Sequence, residues 1–316
     1  MKTTPASSRL LPVLLLLAMT AGAVGDDAVV LLPQLKAGDT LTLVMTKSLG
    51  EVRNGKPVPS KSTVSTLEGT VLSIKESAIV MRWKITEIKL PDDAGSNHPV
   101  TKALAKIAQE IVAEVRFDWQ SREASLENFD QVKEKIDEAL ELAITLYGKE
   151  AKWDDEKMAS ARKVIKTIAT RETVETLMLN DFKGYMTLLG TTLSRTKTTT
   201  LEIQATVPPL GFKVPATLQW SPASAGDDAT QVNANAKQDV DTETMRKAHL
   251  EFLKAQAANL NRPAPDEDTV RKVKLDKTIR ASLDVKRGIP LHVKQTEMTT
   301  DFWGSGEYWS LEYVLK

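Results

Sequence analysis

The 316-residue chain contains no cysteine. That absence excludes disulfides, thiolate metal sites, a cysteine nucleophile and a lipid-modified cysteine, so an exported form has to hold together by its core. Aromatic residues make up only 5% of the chain, too few for stacking platforms along a single-stranded nucleic acid. Net charge is absent too: 42 Lys and Arg balance 42 Asp and Glu, which excludes binding of polyanions by bulk charge. No Asn-x-Ser/Thr sequon occurs. The apolar runs are short, and the longest lies at the start of the chain.

Chemistry is sparse in the same way. Neither a G-x-S-x-G elbow, a phosphate-cradling G-x-x-x-x-G-K-[ST], a dinucleotide G-x-G-x-x-G nor an H-E-x-x-H occurs. The three histidines, His98, His249 and His292, lack metal-ligand spacing, so no metal site and no cofactor are expected. Asp239, Asp241 and Glu243 are spaced like the start of a calcium loop but lack its glycine, and acids at a helix N-terminus explain them better. Gly304-Ser305-Gly306 reads as a hairpin turn. Asp92-Asp93 and Asp227-Asp228 fall in loop sequence, where paired carboxylates are not held as a glycosidase dyad needs. No catalytic residue is therefore assigned.

What is present begins with a leader. Lys2 and Arg9 precede an apolar run from Leu10 to Ala18, followed by Ala21-Gly22-Ala23, the order of a secretory signal peptide. Residues 1–25 are expected to be removed, leaving an export product of about −2 charge, periplasmic or extracellular in a bacterium. With no second run of spanning length, it is not expected to be an integral membrane protein.

Residues 26–316 read as a single α+β domain, with two similar halves, 26–180 and 181–316, as an alternative. Leu41, Leu43 and Met45 alternate with polar neighbours, as β-strands do. Asn54-Gly55 predicts a hairpin, with Lys56 to Ser62 extending the turn and a second strand over Thr63 to Ile74. Ile79, Met81, Trp83 and Ile85 share a face of a third strand. From Thr101 a helical block runs to Leu179: the first helix carries Leu104, Ile107, Ala108, Ile111, Val112 and Val115, a short extended piece over Phe117 to Gln120 separates it from the second, which is capped by Ser125 and ends before Gly148, and the third starts at Asp154. A kink or new helix is expected near Thr170 to Thr173. Strands resume after Gly190, with Pro215 marking an edge or irregular strand. Thr242 to Leu260 predicts a further helix, and β-hairpins finish the chain. Meanders of this kind, without strand-helix alternation, imply a large curved antiparallel sheet with amphipathic helices across one face.

The scarce aromatics concentrate near the C-terminus, at Phe302, Trp303, Tyr308, Trp309 and Tyr313. Two readings stand: they fill the core or guard a sheet edge, or they line a space between sheet and helices. On the second, Met81, Trp83, Trp220, Phe302, Trp303, Trp309 and Tyr313 are the binding candidates. Gly38-Asp39, Gly69-Thr70-Val71-Leu72, Ile79 to Ile85, and Leu283-Asp284 with Gly288-Ile289-Pro290-Leu291 resemble secreted bacterial β-rich families of unknown function. More remotely the pattern is similar to the half-barrel of lipoprotein carriers of the LolA and LolB type, and no site residue carries over from them. The export signal, the one-sided strands, the amphipathic helices and the missing catalytic constellations together lead to the expectation of a non-enzymatic envelope protein binding an apolar small molecule, a lipid or another envelope protein, and the charge balance and scarce aromatics to no nucleic acid. The alternatives are a structural interaction module and a hydrolase whose site is assembled from distant loops.

Overall fold

The computed structural model describes residues 27–93, 95–207, 212–226, 228, 230–259, 263, 266, 274–300 and 306–316. The leader sequence lies outside them, as does the turn at 304–305. The fold is α+β, built on one large antiparallel sheet that runs through both halves of the chain.

The first long strands form as the alternation predicts. β1 is Ala28–Val30, β2 Thr40–Arg53, β3 Lys56–Lys75 and β4 Ala78–Lys89. Asn54 (φ 51°) and Gly55 (φ 70°) make the two-residue turn between β2 and β3, the backbone that an Asn-Gly pair accommodates. The expected extension of that turn is corrected: Lys56 pairs directly with Arg53, so the strand starts at once. The polar sequence is held as strand by pairing with β2, with one register shift between Leu49 and Gly50.

The next correction is larger. α1, Pro99–Glu110, is capped by His98 and stops before Ile111; Val112–Asp118 is β5 and Glu123–Leu126 is β6. Ile111, Val112 and Val115 fit a helical stripe, yet Ala113, Val115 and Phe117 also alternate. They pair opposite Trp83, Met81 and Ile79 of β4, and this pairing outweighs local helix propensity. Ser125 consequently sits in a strand, and Asn128 precedes α2, Phe129–Glu150. Gly148 is inside α2 rather than beyond it. A Cβ there would lie 2.1 Å from Met158 Sδ, so glycine lets the following helix approach. That helix, α3, is Asp155–Ile168, capped by Asp154, whose side chain accepts from Lys157 N. Thr170 caps a separate α4, Arg171–Met186, where a break was expected.

β7 is Thr192–Ser194 and pairs with β1 in a small separate sheet. β8 is Thr199–Val207, β9 Phe212–Trp220, β10 Ser224–Ala225 and β11 Gln231–Asp239. α5, Thr242–Asn259, begins at Asp241, whose carboxylate accepts from Thr244 N at 2.7 Å. β12 is Lys274–Asp284, β13 Ile289–Thr300 and β14 Gly306–Leu315. Pro215 lies where β9 has no β11 partner, because that ladder covers only Thr217 to Trp220.

The large sheet runs in the order β6-β5-β4-β3-β2-β14-β13-β12-β11-β9-β8, with β10 attached to β11. Chain-terminal β14 pairs with β2, so the last strand closes the gap between the two halves. α4 lies on the inner face. Phe182 stacks on Trp83 with ring centroids 5.7 Å apart, and Tyr185 meets the edge of the same indole. Tyr185 Oη donates to Pro290 O at 3.0 Å, Tyr313 Oη donates to Asp181 O, and Gln295 Nε2 donates to Gly184 O at 2.9 Å. Arg122, at the tip of the β5–β6 hairpin, donates to the carbonyls of Thr187, Leu189 and Gly190 just past the helix. Its cation therefore faces the negative end of the α4 dipole.

Candidate functional site

α4 covers only part of the inner face. Beside it, both edge strands of the sheet, β6 and β8, border a single cavity of about 1410 Å³, whose floor is the middle strands β12 to β14. Strands at opposite ends of one sheet reach the same space only if the sheet is strongly curved, so the site is the unfilled part of an open half-barrel. The N-terminal end of α5 and residues Lys183, Gly184 and Thr187 of α4 complete the wall.

The apolar part of the lining comes from the core phase of the strands. Leu201 and Ile203 of β8, Ala216 and Leu218 of β9, Ile279 of β12 and Phe117 of β5 all face it. Polar neighbours on the edge strands, Glu202, Gln204 and Thr217, border the same space at its rim.

The polar part of the floor breaks the period-two alternation of core and surface residues. On β12, Leu275, Ile279, Ala281 and Leu283 are buried, but Lys277 stands in the same phase. On β13, Val293 is followed in phase by Gln295 and Glu297. Register places Gln238, Lys277, Glu297 and Trp309 side by side across β11, β12, β13 and β14. Glu297 is only 1% exposed. Its Oε2 is 3.8 Å from Lys277 Nζ, an ion pair too long for a hydrogen bond, and no described residue donates to either of its oxygens. Trp309 Nε1 is buried and donates to no described residue. Lys277 lies 5.7 Å from the Trp309 ring centroid, over its face.

Burial pushes the Glu297 carboxyl above the usual carboxylate range, and the Lys277 charge opposes that shift. The consequence for stability has a definite sign. A carboxyl with a raised folded-state pKa favours folding below its unfolded value of about 4.5, and this contribution is lost as pH rises through the folded value. Glu297→Gln is therefore expected to raise the melting temperature at neutral pH and to remove part of the decline between pH 4.5 and neutrality. Paired thermal melts across that range check it; a variant less stable than the parent at pH 7 contradicts it.

Of the seven aromatic and methionine candidates, Trp309 lines this cavity. Met81, Trp83, Trp220 and Tyr313 are buried in the solid part of the core instead, with Trp83 and Tyr313 packed against α4. Phe302 and Trp303 lie outside the described residues. Lys277, Gln295 and Glu297 are the functional candidates that aromatic content missed. Their signal was present in the sequence: three polar residues on the core phase of strands whose other core positions are apolar.

The histidines do other work. His98 caps α1, its Nδ1 accepting from Val100 N, while its Nε2 lies 2.8 Å from Glu150 Oε2 and its ring stacks on Tyr147. His292 Nε2 is 2.8 Å from Glu312 Oε1. Among the described residues no group of three or more His, Asp or Glu side chains is placed to hold a metal ion. No described helix is long and apolar enough to cross a membrane.

No protein-family model matches the chain, and no curated protein is significantly similar to it in sequence. Among solved structures it is similar to one described as "Lipid-protein interactions in lipovitellin", with a TM-score of 0.44 and 11% identity over 89% of this chain. The match spans 25% of that protein, so the chain corresponds to a quarter of its length and its function is left to the geometry of its own cavity.

Proposed function

We propose that this chain is an exported, non-enzymatic protein of the bacterial envelope that binds a ligand with a long apolar body in the open part of its half-barrel. The observation that carries the reading is the cavity of about 1410 Å³ between the two edge strands. Pockets for drug-sized ligands are typically about 300–1,000 Å³, so this space suits something the size of a lipid. Leu201, Ile203, Ala216, Leu218 and Ile279 offer an apolar wall for it. Export rests on the charged, apolar and small-residue order of the leader. The non-enzymatic part rests on the missing catalytic motifs in the sequence.

Native mass spectrometry of protein purified without denaturant is expected to show added ligand mass, and an apolar fluorescent dye should enter the emptied protein. Ile203→Trp places a large ring in the cavity and is expected to weaken dye uptake by roughly tenfold or more, because a bulky residue there competes with the ligand for volume. A ligand-free wild-type chain that takes up no dye would sink the reading.

One observation favours a second reading, hydrolysis: a buried carboxyl with a raised pKa in a cleft is the kind of group that acts as a general acid. Product formed from the bound ligand by wild type but not by Glu297→Gln would replace the binding reading with that one.

A further inference from the structure

We infer that the cavity anchors its ligand by an uncharged, hydroxyl-bearing head group, such as the diol of a monoacylated or monoalkylated glycerol, seated against Glu297, Lys277 and Trp309. The inference deepens the binding reading and rests on it. Three observations lead to it.

Placement is the first. The polar row lies on the inner face of adjacent strands and opens into the cavity, between apolar residues that would hold an acyl or alkyl chain. Polar groups on a core phase are unfavourable unless they find partners.

Valence is the second. Both oxygens of Glu297 can accept, and Trp309 Nε1–H and Lys277 Nζ can donate; both donors stand close enough to lower the Glu297 pKa, yet Lys277 Nζ is 3.8 Å away and no well-aligned hydrogen bond closes between them. The missing group must therefore both donate and accept at one place. A pair of hydroxyls does both: their protons reach the carboxylate, and their lone pairs receive the indole N–H and the ammonium.

Charge is the third. Lys277 and Glu297 offset each other across 3.8 Å. An added carboxylate or ammonium would gain little net attraction from a pair that presents both signs, yet would meet one like charge and lose its own hydration. A neutral head meets neither penalty. If Glu297 takes up a proton it becomes a donor to the same hydroxyls, so the head group is held in either state.

The test uses the full exported chain and three probes with the same ten-carbon tail below their micelle-forming concentrations: 1-decylglycerol ether, decanoate and decylammonium. At pH 7 the glycerol ether is expected to displace an apolar dye at least tenfold more effectively than either charged probe. Glu297→Gln should weaken glycerol-ether binding roughly tenfold, the scale of one hydrogen bond to a charged group, when each affinity is corrected for the variant's own dye affinity. Lys277→Met is the second variant and should relieve the discrimination against decylammonium. Decanoate binding as tightly as the glycerol ether, above all if it strengthens as pH falls, would overturn the inference in favour of a carboxylate head. Equal binding of all three probes, with neither variant having an effect, overturns it while leaving the cavity a binding site. If neither dye nor any probe binds wild type, the binding reading itself fails.

Discussion

Trp83→Ala is expected to destabilise the fold by about 3–5 kcal/mol, the range for removing a large aromatic side chain from a packed core. Trp83 is 1% exposed and fills the layer between β4 and α4, stacked on Phe182 and edge-on to Tyr185. For a chain of this size the change lowers the melting temperature by roughly 10 °C. The loss is one of volume, because the buried Trp83 Nε1 has no hydrogen-bond partner among the described residues. Trp83→Phe should therefore cost much less than Trp83→Ala. The neighbour below offers a sharper check. Gly69 lies opposite Trp83 across the β3–β4 ladder, and a Cβ added there would lie 2.5 Å from the indole ring. Gly69→Ala should destabilise wild type strongly and the Trp83→Ala background little, a coupling that chemical denaturation of the four proteins measures. Additive effects would mean that the ring and the glycine do not share the space described.

Gly288→Ala is the second large effect expected. Gly288 closes the β12–β13 turn with φ of 65°, a left-handed conformation costing an L-residue about 1–2 kcal/mol. Space adds to strain: a Cβ would lie 1.9 Å from the carbonyl oxygen of Leu32. The segment leading from β1 crosses this turn, with buried Leu31 beneath it and Gln34 N donating to Arg287 O at 2.8 Å. Alanine must displace that backbone, so the loss should exceed the conformational term alone. Gly288→Asn separates the two causes, since asparagine tolerates a left-handed backbone but still carries a Cβ. If the collision dominates, both variants melt well below wild type; an Asn variant as stable as the parent would leave conformation as the whole effect.

The two changes act on different joints of the molecule. Trp83 holds α4 onto the sheet, and Gly288 lets the N-terminal segment lie over the far end of it. Neither touches the cavity floor, so ligand binding at a temperature where each variant remains folded should persist. Glu297 has the opposite profile: its replacement is expected to favour the fold while weakening recognition of a polar head. A group kept at a position where it opposes stability is what a binding role predicts.

Much of this body was legible in the residues themselves. Period-two alternation in Thr40 to Thr46 and Ile79 to Ile85, the Asn54-Gly55 turn, the cap Asp154 and the break near Thr170 are local signals, and local sterics and hydrogen bonding suffice to read them. So was the α+β class, because meanders without alternating helices cannot form a parallel sheet. An extended piece at Phe117 was legible but the strand leading into it was not, since Ile111, Val112 and Val115 satisfy a helical stripe while Ala113, Val115 and Phe117 satisfy a strand. Only the free edge of β4, offering Ile79, Met81 and Trp83 as partners, decided between them. The cavity belongs to the same class of fact. Local sequence places Lys277, Gln295 and Glu297 on a core phase, but whether that phase faces a helix or a void depends on how far α4 reaches across the curve of the sheet. Trp83 and Trp309 carry the same side chain on the same inner face; α4 covers the first and stops short of the second, and that difference in covering is set by packing between segments a hundred residues apart.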